Sequence, residues 1–190
     1  VRPSGLIAIR LEEGDELGWV RLTRGDQDLM VVTEQGQALR FREEAVRPTG
    51  RATLGVYAIK LNPGDHVASA SNIERCPGAA DGLEAELLTV TTKGYGKRTP
   101  LSRFRVKGRY GKGVRCLGGK RERRGVVAAA RVVCPDDEIT IISAGGMVLR
   151  TPVSDIPQMG RAARGARMID LKPGDEVASV AVVSNGDEEG

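Results

Sequence analysis

At 190 residues with 25 glycines and 9 prolines, the chain must turn often, and many turns between short apolar runs point to an all-β protein. No apolar run approaches the roughly 18 residues that span a bilayer, and the first residues lack a signal-peptide pattern, so neither a membrane nor a secreted protein is expected. The net charge of +4 conceals an asymmetry: 93–131 holds 14 Lys or Arg against one acid, Glu122, for +13, and the remainder carries 15 basic against 24 acidic groups, for −9. A solvated face usually mixes both signs, so a segment of this kind is expected to attract a polyanion.

Taken in chain order, residues 1–23 read as the second half of a repeat, with apolar runs at 6–11 and 17–22 on either side of Gly14-Asp15. The first full copy, 28–73, reads as four strands at 29–33, 37–42, 55–61 and 66–73. Residues 74–85, with Cys76-Pro77-Gly78 and Asp81-Gly82, read as a surface linker between copies. A second copy covers 86–133. The third, 138–183, reads as strands at 139–143, 147–151, 165–171 and 176–183, and an acidic tail, 184–190, closes the chain.

The copies share one frame. Gly36, Gly94 and Gly146 are each followed four residues on by an arginine, namely Arg40, Arg98 and Arg150. Ten residues further come Gly50, Gly108 and Gly160, each followed directly by Arg51, Arg109 and Arg161. Five residues beyond these glycines stand Gly55, Gly113 and Gly165. Gly36, Gly94 and Gly146 occupy short hairpin loops, where positive φ is needed. Asn62-Pro63-Gly64-Asp65 and Lys172-Pro173-Gly174-Asp175 have the chemistry of type II turns. Some 46 residues and four strands per unit is the scale of a propeller blade, and a lone blade must stack on neighbours to bury its faces. With aromatics at 3%, Val, Ala and Leu are expected to fill the core.

The loops that open on Gly-Arg carry the binding expectation. Glycines let a backbone approach a ligand closely, and flanking cations then reach phosphate oxygens. Arg51, Arg109 with Lys107 and Lys112, and Arg161 with Arg164 therefore form a spaced row of candidate phosphate contacts. Arg40, Lys93, Lys97, Arg98 and Arg150 join them from the hairpins. In the second copy the Pro-Gly-Asp turn gives way to Gly118-Gly119-Lys120-Arg121-Glu122-Arg123-Arg124-Gly125, so Lys120 and Arg121 are added as contacts.

Catalytic chemistry is not expected. His66 is the only histidine, which leaves a serine or cysteine nucleophile without an obvious base and argues against zinc. Gly113…Gly118-Gly119-Lys120-Arg121 has the wrong spacing for a nucleotide loop and lacks the Ser or Thr that holds Mg²⁺. Asp136-Asp137-Glu138 reads as solvated carboxylates. Cys76, Cys116 and Cys134 form no Cys-x-x-Cys pair and are odd in number, which fits a reducing cytoplasm better than a disulfide scaffold.

Thr92-Lys93-Gly94-Tyr95-Gly96-Lys97-Arg98-Thr99-Pro100, followed by Lys107-Gly108-Arg109 and Lys112-Gly113-Val114, closely resembles the C-terminal domain of the DNA gyrase A subunit. So do Gly36…Val46-Arg47…Gly55-Val56 and the run from Val148-Leu149-Arg150 through Asp155-Ile156, and the resemblance covers roughly 1–183. It implies a β-pinwheel, a propeller-like disc whose four-stranded blades exchange strands and whose basic rim bends double-stranded DNA. About three and a half repeats are present, which the resemblance makes an incomplete ring cut from a longer subunit. The family's glycine-arginine box is absent; 107–113 occupies the matching blade position with Tyr110 where the box has glycine. By resemblance the parent is an ATP-dependent type II topoisomerase that introduces negative supercoils. Its cleavage tyrosine, its ATP and Mg²⁺ sites and its gyrase B partner lie outside this chain, so no cofactor is expected here. Two alternatives stand beside this reading: the C-terminal domain of the topoisomerase IV A-type subunit, and a propeller scaffold for protein partners. Few aromatics are available to stack unpaired bases, which disfavours an RNA-binding module.

Overall fold

The computed structural model describes residues 5–73, 76 and 84–183. The expected linker therefore falls mostly, and the acidic tail wholly, outside the described residues. The first full copy supplies β1 (Asp28–Thr33), β2 (Gln37–Arg42) and β3 (Val67–Ile73). The second supplies β4 (Glu86–Thr91), β5 (Tyr95–Pro100), β6 (Val114–Arg115) and β7 (Val127–Val133), and the third β8 (Glu138–Ser143), β9 (Val148–Pro152), β10 (Ala166–Arg167) and β11 (Val177–Val183). In each copy a 3₁₀ turn follows the second strand, at Glu43–Ala45, Leu101–Arg103 and Val153–Asp155.

These strands form three antiparallel sheets, in the orders β3-β1-β2-β6, β10-β5-β4-β7 and β11-β8-β9. The order shows the exchange. In the second and third copies the third strand leaves its own sheet and pairs with the second strand of the copy before: Ala38 faces Val114, and Gly96 faces Ala166. The fourth strand returns to pair with the first, with Leu29 opposite Asn72 and Leu87 opposite Val132. The molecule is thus an all-β pinwheel in which the first and second blades are each closed by a strand from the next, while the third has three strands among the described residues.

Exchange also explains where the expected strands shrink. The third strand, read as seven residues in the first and third copies, survives as two residues in β10. Residues 55–61 form no strand; Lys60 donates to Gly111 and Tyr110 donates to Ala58, both in the following copy. By the exchange rule their partner would be the second strand of the copy represented by 1–23, and no described residue supplies it. The same holds for 6–11 and 17–22, expected as strands and found as irregular chain around an Asp15-to-Glu12 turn. Leu6, Val20 and Leu22 are exposed there, Leu22 at 94%. A strand without a neighbour leaves its backbone groups to water and its period unread.

Blades stack in series through two apolar layers. Met30, Val32, Leu87, Leu101, Phe104 and Leu117 pack between the first and second. Leu88, Val90, Ala129, Ile139, Ile141 and Val153 pack between the second and third. Every residue of β4 is buried because both faces meet a layer, which is why its sequence does not alternate. At the hairpin ends a glycine is needed twice over. Gly94 has φ +76°, and a Cβ there would lie 2.7 Å from the Ile169 carbonyl oxygen of the next blade.

One expectation about the cysteines is corrected. Cys76 and Cys134 are joined in a disulfide, with Cα atoms 5.6 Å apart and a sequence separation of 58. They follow β3 and β7, so stacking of equivalent blade ends brings them together, a proximity that no short motif encodes. Cys116 is the free thiol, buried beside Leu117. Among the described residues no helix is long and apolar enough to cross a membrane.

Candidate nucleic-acid interface

The hairpin arginines do a different job from the one expected of them. Each pairs with an acid that opens the first strand of its own copy, twelve residues earlier. Arg40 meets Asp28 at 2.7 Å and Arg98 meets Glu86 at 2.6 Å, while Arg150 donates from Nε to Glu138 at 2.6 Å. Two of the three also clasp the next blade. Arg40 Nη1 donates to the Leu101 carbonyl, and Arg98 donates to the carbonyls of Ile156 and Ser154, all in or beside the following 3₁₀ turn. The Arg98 side chain is only 17% exposed and its Glu86 partner 3%. Arg40 and Arg98 are therefore blade clasps, and reading them as phosphate contacts is corrected; the exposed Arg150 keeps a face to solvent.

Lys97 is a second correction. Its side chain is fully buried, and Nζ donates to the carbonyls of Gly160 at 2.6 Å and Arg161 at 2.7 Å. Burial holds its pKa down, to about 8 from 10.5, with the nearby Arg161 guanidinium adding to the effect. The position is occupied by Leu39 and Leu149 in the other copies, so the ammonium is a local addition that pins the Gly160–Arg161 loop of the next blade. Gly118 N–H holds the same loop through the Ala163 carbonyl at 3.1 Å.

The other nominated cations divide by their surroundings. Arg109 is engaged: Nε donates to the Ala45 carbonyl and Nη1 to that of Tyr57. Lys93 donates to the Glu122 carbonyl. Arg51, Lys107, Lys112, Lys120 and Arg121 are exposed. The basic loop of the second copy folds as one helical turn, Arg121–Arg124, whose last residue turns inward and donates to the carbonyls of Gly119, Gly125 and Gln35.

Loop 160–165 carries its two cations into separate clusters. Arg164 lies 4.8 Å over the Tyr95 ring, and Arg167 5.4 Å over it. Arg167 also donates to the Tyr95 hydroxyl, and this hydrogen bond, with the charges of Arg167, Arg164 and Arg123, lowers the phenol's pKa. Arg161 instead lines an open cleft of about 590 Å³ with Ser102, Arg103, Arg105, Arg115, Gly160 and Ala162. Arg103, Arg105 and Arg115 were not singled out from sequence, because the repeat frame marks loop glycines and these three lie in a 3₁₀ turn, just after it and in an exchanged strand. Membership of the +13 segment was the available signal. The arrangement offers guanidinium forks and no acid–base pair, which suits the binding of phosphate oxygens.

Comparison with known proteins agrees with this architecture. A family model described as DNA gyrase C-terminal domain, beta-propeller, matches 2–23, 27–74, 85–134 and 137–184. The DNA gyrase A subunit of Staphylococcus epidermidis is 38% identical over 99% of this chain, and that of Haloquadratum walsbyi 41% identical over 95%. The chain spans 20% of the length of each. Among solved structures, a DNA gyrase A C-terminal domain superimposes with a TM-score of 0.84 at 29% identity, covering 94% of this chain and 58% of that one. The C-terminal domain of a DNA topoisomerase IV superimposes at 0.86 with 26% identity, covering 95% and 54%. With four matched segments running almost end to end, the chain belongs to the DNA gyrase C-terminal domain family.

Proposed function

We propose that this chain is a DNA-wrapping module, which binds double-stranded DNA along its phosphates with little base preference and bends it. The observation that carries the reading is the excess of basic over acidic residues, +13 over 93–131, in the second copy. Phosphate contacts fix position without reporting sequence, and among the described residues the α-helix is a single turn, Arg121–Arg124, too short to read a major groove. In the parent enzyme, an ATP-dependent type II topoisomerase that introduces negative supercoils, the module would be non-catalytic. Its partners would be the rest of the gyrase A subunit and gyrase B, in the cytoplasm at the nucleoid. A reducing compartment would keep Cys76 and Cys134 as thiols.

The test is competition. Two duplexes of unrelated sequence should bind with affinities within about threefold of each other, since only shape and phosphate are read. Poly-glutamate should displace neither. Displacement by the acidic peptide at equal charge would place the protein-scaffold reading ahead. A topoisomerase IV origin has a matching structural likeness and the same binding chemistry. The parent enzyme's activity separates the two, because a subunit that supports relaxation without introducing supercoils would assign the chain to topoisomerase IV.

A further inference from the structure

The cleft between the second and third blades has a counterpart one blade earlier, and the two differ in a way that assigns them different work. By the repeat frame, Ser102, Arg103, Arg105, Arg115, Arg161 and Ala162 correspond to Glu44, Ala45, Arg47, Tyr57, Arg109 and Tyr110. At the earlier junction Arg47 and Arg109 border a pocket of about 440 Å³ whose other walls are largely apolar, among them Ile9, Phe41 and Val56. Tyr57 and Tyr110 pack with ring centroids 5.4 Å apart, and Arg109 donates to the Ala45 and Tyr57 carbonyls. Glu44 adds a negative charge. That junction gathers fewer arginines, and its Arg109 is occupied by backbone carbonyls.

At the later junction the tyrosines are replaced by Arg115 and Ala162, the acid by Ser102 and the alanine by Arg103. The space stands open at about 590 Å³. Among the described residues, none of the four guanidinium groups of Arg103, Arg105, Arg115 and Arg161 donates a hydrogen bond or meets a carboxylate. They come from three separate segments, held in place by the buried Leu101 and Phe104, by pairing of β6 with β2, and by Lys97 on the 160–161 carbonyls. Four cations gathered by a fixed framework, with the Glu84 carboxylate on the Ser102 N–H at its edge, still carry an excess of positive charge and repel one another, and an anion relieves that repulsion.

We propose that this cleft is the principal phosphate seat of the module, taking adjacent backbone phosphates of one strand of duplex DNA, and that the junction before it, whose Arg109 is held by backbone carbonyls, does not bind DNA. The proposal rests on the DNA-binding reading above and narrows it to one site. The expanse of exposed cations at Lys93, Lys107, Lys120 and Arg121 then supplies only general attraction, while the cleft holds the strand in register. Small free polyphosphates share the chemistry of the ligand, so the test must separate them from duplex.

Two charge-matched quadruple variants of the 190-residue chain provide the test. One converts Arg103, Arg105, Arg115 and Arg161 to Gln, and the other converts Lys93, Lys107, Lys120 and Arg121 to Gln. Binding to a labelled duplex is followed by fluorescence anisotropy across salt. The cleft variant should lose at least about tenfold more affinity than its matched partner, and its log–log salt slope should flatten by about 2, as two phosphate contacts are lost. The four arginines have no partner to strand, so thermal unfolding should be unchanged, and each single substitution should show a share of the loss. Equal losses from the two sets, with folding intact, would overturn the proposal. Tighter calorimetric binding of tripolyphosphate than of duplex, abolished in the cleft variant, would also overturn it in favour of a small-anion site. A wild-type chain without salt-sensitive duplex binding would instead overturn the reading beneath it.

Discussion

Arg40, Arg98 and Arg150 stand at the same place in the repeat and differ in burial, which makes them a graded series. Removing Arg98 strands Glu86, which is 3% exposed, and losing one partner of a buried pair costs about 3–5 kcal/mol. Arg150 is 64% exposed against Glu138, so Arg150→Ala should cost less than about 1 kcal/mol. Urea unfolding of the two alanine variants checks the order; equal losses would mean that the clasp carries no weight. Lys97 gives a second prediction. The folded chain releases its proton near pH 8 and the unfolded chain near 10.5, so between those values the unfolded state holds more protons. Stability must then rise with pH across that window, because the cost of burying the ammonium applies below it and fades through it. Relative to Lys97→Leu, whose residue already serves at positions 39 and 149, the wild type should gain melting temperature between pH 8 and 10.5. Parallel curves for the two proteins would contradict this. Neither role was visible in the charge pattern, because a cation in a list does not show its partner. The signal was nonetheless present in the acid that precedes each hairpin arginine by twelve residues.

Strands and turns were more legible than charges. Hairpin glycines and apolar runs placed β1, β2, β8 and β9 to within a residue or two, since these pair inside their own copy. The third strands were overread, because their partners lie in another copy and no local pattern measures how long that pairing lasts. The same logic separates two equivalent glycines. Gly94 and Gly146 both have positive φ, but only Gly94 faces a following blade; nothing lies within 4 Å of a Cβ built on Gly146. Gly146→Ala should cost about 1–2 kcal/mol for left-handed backbone alone. Gly94→Ala adds a collision with Ile169 and should cost at least about twice that. Chemical denaturation of both reads the difference, and equal costs would argue against the blade-to-blade contact at this hairpin.

For the whole molecule, cohesion and function draw on different residues at the same junctions. Apolar layers, arginine clasps and exchanged strands join one blade to the next, and the Cys76–Cys134 bond ties the ends of two of them. Closing a 58-residue loop in the unfolded chain corresponds to about 4 kcal/mol in the chain-entropy model. Reductant should therefore lower the melting temperature yet leave duplex binding unchanged, since neither cysteine lies in the cleft; loss of binding on reduction would mean that the blade junction needs the cross-link. Surface charge is left for the ligand. The central claim, that this chain holds duplex DNA by its phosphates, is tested most directly by affinity for one duplex measured from about 50 to 200 mM salt. With about five phosphates engaged, the log–log slope should be near −4.5 and affinity should fall by hundreds-fold. A flat line over that range would contradict the account.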